Sequence, residues 1–363
     1  MSIKQQSFTH EEKLVFALRE LFENYGYRRY KMGRFEEYGL YAENKSFLQS
    51  KNIVTFTDLN GRLMALKPDV TLSIVKNALS GDFSGDVRYH YNEEVFRADK
   101  STREIRRRMQ VGIEHIGKID LYSTVEAISL AKQSLALVNS ENLLDISHLG
   151  FVSGLIGDVD EAAKAKLLCC IKDKNVHELM RTARECSIDE YKAARLARLA
   201  SLYGPLRETL GQAQSLIIND EMQQAAKELS AICGMLDGIG CLDNVNLDFS
   251  IVNDMDYYNG VIFQGYVKNV PTYVLSGGRY DRLIEKMSQK DYGAIGFAVY
   301  LDLIGLYDDE KADCDCDVLV LYNDDTDISK VVRTVSEFRA AGKKTLCVNG
   351  ECNAIAKETI DLR

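Results

Sequence analysis

The sequence contains no tryptophan and only three prolines, Pro68, Pro205 and Pro271. No proline-rich linker marks a domain boundary, so boundaries must be read from pattern. No apolar run approaches the roughly 18–20 residues that a membrane-spanning helix needs. The opening Met1-Ser2-Ile3-Lys4-Gln5-Gln6 has no apolar core of the signal-peptide kind. These absences predict a cytoplasmic protein without a membrane association. A basic excess is also missing. Lys+Arg number 45 against 54 Asp+Glu, a net charge of −9, which argues against a chain whose main task is gripping nucleic acid. The five histidines are scattered. Nine cysteines, with Cys169-Cys170 adjacent and Cys314-x-Cys316 close, follow no zinc-ribbon spacing. The expectation is reduced, mostly buried cysteines, no metal and no cofactor.

What is present suits a globular protein. The 363 residues are 46% hydrophobic and 27% charged. At roughly 150 residues per domain, about two domains are expected. Thr9-His10-Glu11-Glu12 forms a capping box. Leu14, Ala17, Leu18, Leu21, Phe22 and Tyr25 then make one helical stripe that ends at Gly26. Ile53–Asp58 and Arg62–Leu66 flank Asn60-Gly61, a hairpin turn signal. Val87, Tyr89 and Tyr91 alternate with polar residues, and Ile105–Ile116 alternates again, so antiparallel strands are expected. Residues 158–238 change to Ala, Leu, Lys, Arg and Glu, which predicts an inserted subdomain of three or four helices. Strands return over 245–300. An acidic linker is expected over 307–316. Residues 317–363 read as one β-α-β piece, with strands at Asp317–Tyr322 and Lys344–Val348. Its helix, from Ile328 to Ala341, stops at Gly342.

Three stretches carry candidate chemistry. In Met109-Gln110-Val111-Gly112-Ile113-Glu114, alternation puts Met109, Val111 and Ile113 on one face. Gln110, Gly112 and Glu114 share the other, a polar floor in which the glycine leaves a gap for a small ligand. The bland alternative is the wet side of an edge strand. In Lys67-Pro68-Asp69-Val70-Thr71, a carboxylate and a hydroxyl can accept from an ammonium group. By itself that pattern is better explained as the start of a helix. In Ser276-Gly277-Gly278-Arg279-Tyr280-Asp281, paired glycines allow close approach of backbone to a ligand, or form a plain turn. Arg103, Arg106, Arg107 and Arg108 form the one notable basic cluster, most simply a solvated face.

Taken together, these segments resemble the catalytic core of class II histidyl-tRNA synthetases, in order over about residues 8–306. Leu66–Thr71 is similar to the family's Arg-Pro-Glu-x-Thr segment. Val95-Phe96-Arg97 with Met109-Gln110-x-Gly112-x-Glu114 resembles motif 2. Met255-Asp256-Tyr257-Tyr258-Asn259-Gly260 resembles the histidine-specific Leu-Asp-Tyr-Tyr-x-Gly segment. Gly277–Asp281 matches Gly-Gly-Arg-Tyr-Asp unchanged, and Gly296-Phe297-Ala298 opens motif 3. The resemblance implies an α+β fold: a class II synthetase-like antiparallel sheet flanked by helices over 1–306, a helical insertion, and a truncated anticodon-binding-like tail. It also exposes departures. The family has an arginine where Asn253 stands, a motif 3 arginine where Leu303 stands, and a motif 1 proline where Gly33 stands. Two missing arginines remove the charge stabilisation that adenylate formation requires.

One branch of the family keeps the histidine pocket without that machinery: the regulatory subunits of ATP phosphoribosyltransferase. The chain is identified as a member, which implies no catalysis of its own. Membership implies activation of the short-form catalytic subunit in the first step of histidine biosynthesis, and feedback inhibition by histidine. By the same resemblance it forms a homodimer within a hetero-octamer. Asp69, Thr71 and Gln110 would hold the histidine α-amino group, Arg97 the carboxylate, and Glu114 with Tyr258 the imidazole, with Tyr257 also among the histidine-binding residues. Gly112, Gly277, Gly278, Arg279 and Tyr280 would line the pocket. The alternatives are an active histidyl-tRNA synthetase and a histidine sensor serving another partner.

Overall fold

The computed structural model describes residues 8–48, 53–80, 85–98, 102, 104–252, 257–288, 291–305 and 314–363. Asn253, Met255, Asp256, Arg103 and most of the expected acidic linker lie outside the described residues. The chain divides into two compact units, Met1–Tyr307 and Asp308–Arg363.

The first unit is built on a nine-stranded sheet. From edge to edge its strands are Arg28–Arg29, Asp86–Ala98, Ile105–Gly117, Gly293–Tyr300, Leu275–Arg279, Val261–Val267, Asn142–His148, Val245–Asp248 and Tyr203–Pro205. Two neighbouring pairs are parallel, Arg28–Arg29 with Asp86–Ala98 and Asn142–His148 with Val245–Asp248. The others are antiparallel. The Asn60-Gly61 turn closes a separate three-stranded sheet of Phe35–Glu37, Leu63–Leu66 and Thr55–Thr57. There the Asp58 carboxylate accepts from the Asn60 and Arg62 amides, and Gly61 takes φ +79°.

Alternation decides the two faces of the large sheet. Val111, Ile113, Ile295, Phe297, Val299, Phe263, Leu144 and Ile146 are buried in one core with Ile128 and Leu135 of helix Leu121–Val138. Leu14, Leu18 and Phe22 of helix His10–Asn24 join it. That helix begins with the expected capping box: Thr9 Oγ1 accepts from the Glu12 amide, and the Glu12 carboxylate accepts from the Thr9 amide.

The 158–238 stretch holds five helices rather than three or four: Glu161–Lys172, Val176–Glu185, Glu190–Ser201, Leu206–Ala213 and Asp220–Gly238. Asp160, Asn175, Asp189 and Asn219 cap four of them through side-chain oxygens, splitting the helix-prone composition more finely than composition alone indicates. Leu167, Leu196 and Leu229 are continuous with the main core.

The second unit corrects the β-α-β expectation. Strand Cys316–Tyr322 is central, with Thr345–Asn349 parallel on one side and a third strand, Ala356–Asp361, parallel on the other. Only Ala356 and Ile360 of the third strand are even half-buried, so its sequence carries little apolar signal. Val331 and Val335 of helix Ile328–Ala340 pack on Val318 and Val320. Among the described residues no helix is long and apolar enough to cross a membrane.

Glycine permits close contacts within the large sheet. A Cβ on Gly112 would overlap the Phe297 carbonyl oxygen and the Tyr91 hydroxyl. Gly112→Ala should lower stability by about 1–3 kcal/mol, as over-packing of a tight core does. Gly211→Ala, on an exposed helical position with open space around it, should instead raise stability by about 0.5–1 kcal/mol. Urea denaturation of both variants checks the pair, and a stable Gly112→Ala would contradict the packing described.

Candidate functional site

The polar face of the sheet carries a pocket. Its lining includes Asp69, Thr71, Tyr91, Arg97, Gln110, Glu114, Tyr257, Tyr258, Ser276, Tyr280, Gly296, Ala298 and Tyr300, with Phe47 and Leu48 beside Tyr257. Gln110 and Glu114 are 4% and 2% exposed, so their strand face is not the wet side of an edge strand.

Glu114 is the centre. Thr71 Oγ1 donates to one of its oxygens at 2.6 Å, and the Tyr280 hydroxyl donates to the other. Gly296 pairs with Glu114 across the strands, and any side chain there would collide with the carboxyl group. Desolvation pushes the Glu114 carboxyl up to about 8, against the pull of the Thr71 and Tyr280 hydrogen bonds; nearby Asp69 pushes in the same direction as burial.

Asp69 does two jobs. Its Oδ1 accepts from the Leu72 amide at 3.0 Å, so it caps the start of helix Thr71–Ser80. It also faces the pocket, where burial raises its carboxyl and the neighbouring guanidinium of Arg97 opposes the rise. Arg97 Nη2 stands 4.0 Å from Asp69 Oδ2, while Arg97 Nε donates to the Pro68 carbonyl at 3.0 Å. Helix capping does not take Asp69 away from the pocket: the turn that starts the helix also aims the acid at it. The aromatic wall is built from Tyr257, T-shaped against Tyr258 at 4.6 Å and tilted against Tyr280 at 5.3 Å.

Of the residues expected at the site, Asp69, Thr71, Arg97, Gln110, Glu114, Tyr257, Tyr258 and Tyr280 converge on the pocket. Gly112, Gly277, Gly278 and Arg279 do not line it. The gap over Gly112 is filled by the Tyr91 hydroxyl and the Phe297 backbone. Gly277 abuts the Gly296 carbonyl, and Gly278 abuts Ile262 and Tyr258. These glycines let strands and side chains approach one another rather than a ligand. Arg279 turns aside to Asp281, with Nε donating at 2.7 Å. Tyr91, Ser276 and Tyr300 are lining residues not expected from sequence. Tyr91 pairs with Gly112 and Tyr300 with Gln110, so the alternation rule finds them once the strand pairing is known. Arg107 pairs with Glu94 at 2.9 Å on an exposed end of the hairpin, a solvated face. Leu303 sits on helix Leu301–Gly305, half-buried against the main core.

The Glu114 carboxyl gives a pH signature. Its folded value lies above the ordinary 4.5, so the folded state favours the protonated form. The stability this provides is complete below pH 4.5 and is lost as pH rises toward about 8. Relative to Glu114→Gln, the wild-type protein should therefore lose stability across that interval. Urea denaturation at stepped pH measures the difference; parallel curves would show that Glu114 does not titrate as its burial requires.

Comparison with known proteins places the chain in a family. A family model described as histidyl-tRNA synthetase matches residues 3–304. The ATP phosphoribosyltransferase regulatory subunit of Oceanobacillus iheyensis is 27% identical over 301 residues, 82% of this chain and 74% of the relative. The protein of the same name from Halothermothrix orenii is 25% identical over 350 residues, 94% and 83% of the two chains. A solved ATP phosphoribosyltransferase regulatory subunit/histidyl-tRNA synthetase from Bacillus halodurans superposes with a TM-score of 0.77 at 23% identity, covering 99% of this chain and 96% of that one. Histidyl-tRNA synthetase from Nostoc gives a TM-score of 0.72 at 16% identity, over 94% and 83% of the chains. A chain of the ATP phosphoribosyl transferase (HisG:HisZ) complex from Thermotoga maritima gives 0.64 at 16% identity, over 81% and 98%. With the family model spanning most of its length and the same fold in the solved structures, the chain belongs to the histidyl-tRNA synthetase family.

Proposed function

We propose that the chain is a regulatory subunit of ATP phosphoribosyltransferase: a histidine-binding module that performs no aminoacylation. One observation carries the reading. Among the described residues lining the pocket, two acids, Asp69 and Glu114, face a single cation, Arg97. Adenylate formation develops negative charge on phosphate and depends on fixed cations to stabilise it. A pocket with one fixed cation beside the Asp69 carboxylate, and a buried Glu114 that favours its protonated form, suits a small zwitterion with a polar ring, and histidine is one. The half-buried Leu303, where synthetases of the family carry an arginine, supports the same conclusion. So do the names of the relatives and the partnered HisG:HisZ complex from Thermotoga maritima.

In this reading Asp69, Thr71 and Gln110 hold the α-amino group. Thr71 is well suited, because its proton goes to Glu114 and its oxygen lone pairs remain for an ammonium donor. Arg97 takes the carboxylate. Glu114 and Tyr258 take the imidazole, with Tyr280 fixing the Glu114 carboxyl and Tyr257 forming the wall. The subunit acts as a homodimer within a hetero-oligomer with the short-form catalytic subunit, activates it in the first step of histidine biosynthesis, and transmits inhibition by histidine. Feedback of this kind requires two states with different histidine affinity, and a coupling of about 1–3 kcal/mol gives about 5–150-fold inhibition.

The direct test adds the protein to the short-form catalytic subunit and follows phosphoribosyl-ATP formation with and without histidine. Activation that histidine reverses is expected; absence of activation would refute the regulatory role. For the pocket, Asp69→Asn keeps an oxygen to cap the helix and removes the charge. It should weaken histidine binding at least about tenfold, since a charge-assisted hydrogen bond contributes about 1.5–3 kcal/mol. Calorimetry returning the wild-type affinity would dismiss Asp69 as an ammonium ligand.

A further inference from the structure

Along strand Gly293–Tyr300, the residues that line the pocket on its polar face are Gly296, Ala298 and Tyr300: two small side chains, then a large one. Four residues of strand span roughly 13–14 Å. At one end of that span, Gly296 lies under the Glu114 carboxyl. At the other, Tyr300 pairs with Gln110. Tyr300 is 6% exposed and fixed on several sides. Its hydroxyl shares a hydrogen bond of 2.9 Å with Ser276 Oγ, its ring meets Tyr273 edge-on at 6.1 Å, and its amide donates to the Val274 carbonyl at 2.8 Å. Across the sheet, Gly296 and Glu114 are level with Tyr89 of strand Asp86–Ala98 while Tyr300 and Gln110 are level with Glu93, so Tyr300 lies on the Arg97 side of Glu114.

We infer that Tyr300 is a specificity-determining residue: an end wall that restricts the pocket to an amino acid of free length and rejects one extended through its α-carboxyl group by a bulky substituent, whether as an ester, a substituted amide or an acyl phosphate. The inference rests on the histidine reading above, with the carboxylate directed to Arg97. A free histidine is roughly 6–7 Å from ring to carboxylate by its bond lengths. The Glu114 carboxyl covers Gly296 at one end of the span and Tyr300 takes the other, so the small floor between them is at Ala298. A group added at the carboxyl end meets a buried ring that cannot swing aside without giving up its bond to Ser276. The pocket therefore excludes acyl conjugates by shape, independently of the missing phosphate-binding cations.

Calorimetry with histidine, histidinamide and histidine anilide tests this. Both amides lack the carboxylate charge, so comparing them isolates size. Wild-type protein should bind histidine and should bind the anilide at least about tenfold more weakly than histidinamide, the scale of an over-packing penalty. Tyr300→Ala should bring the two amides within about threefold, whereas Tyr300→Phe, which keeps the ring, should preserve the discrimination. Histidine binding with equal affinity for the two amides in the wild-type protein overturns the wall alone and needs no variant. A folded Tyr300→Ala with no gain for the anilide does the same. Failure of both wild type and Tyr300→Ala to bind histidine or either amide overturns the histidine reading, and the wall with it.

Discussion

The pocket depends on one buried carboxyl group. Glu114 lies toward the end of the long strand Ile105–Gly117, out of water, with each oxygen bound by a hydroxyl from a different part of the chain. A group this costly to bury has to be satisfied on all sides. That requirement fixes Thr71 at the first turn of its helix, Tyr280 just past strand Leu275–Arg279, and a residue without a side chain at Gly296. Strand register follows from the same constraint, because a slip of one residue would carry Glu114 into the apolar core on the other face.

The sheet serves both faces at once. Its apolar side, with helices Leu121–Val138 and His10–Asn24, supplies a continuous core that also takes in the helical insertion. Its polar side thereby brings side chains from four strands, and from the segments around Asp69 and Tyr257, to one pocket. Helix Thr71–Ser80 contributes through its beginning rather than its length, since Asp69 both caps it and faces the ligand space. Losing either role would disturb the other, and this is why the conservative Asp69→Asn exchange is the informative one.

Charge and shape restrict the pocket in different ways. A single guanidinium, set beside the Asp69 carboxylate and a Glu114 that burial keeps toward its protonated form, favours a zwitterionic small molecule over a nucleotide. The tyrosine at the far end of the Gly296–Ala298 floor limits its length. In the proposed reading, both constraints would turn a synthetase-like scaffold away from joining an amino acid to a nucleotide and toward holding the amino acid itself.

Sequence by itself determined the local features. The Thr9–Glu12 capping box, the Asn60-Gly61 turn, the alternation of Gln110, Gly112 and Glu114, and the motifs in order from Leu66 to Ala298 were legible because each is a pattern of near neighbours. Eight of the expected site residues meet at the pocket for that reason. Only the tertiary structure decided what lies across from what. The gap expected at Gly112 is closed by Tyr91 from the adjacent strand, the glycines at 277 and 278 face protein rather than ligand, and Tyr300 enters the site through its pairing with Gln110. The third parallel strand of the C-terminal unit stayed hidden because it is a largely exposed edge with little apolar periodicity. Strand pairing is a long-range contact, and a chain read one residue after another does not contain it.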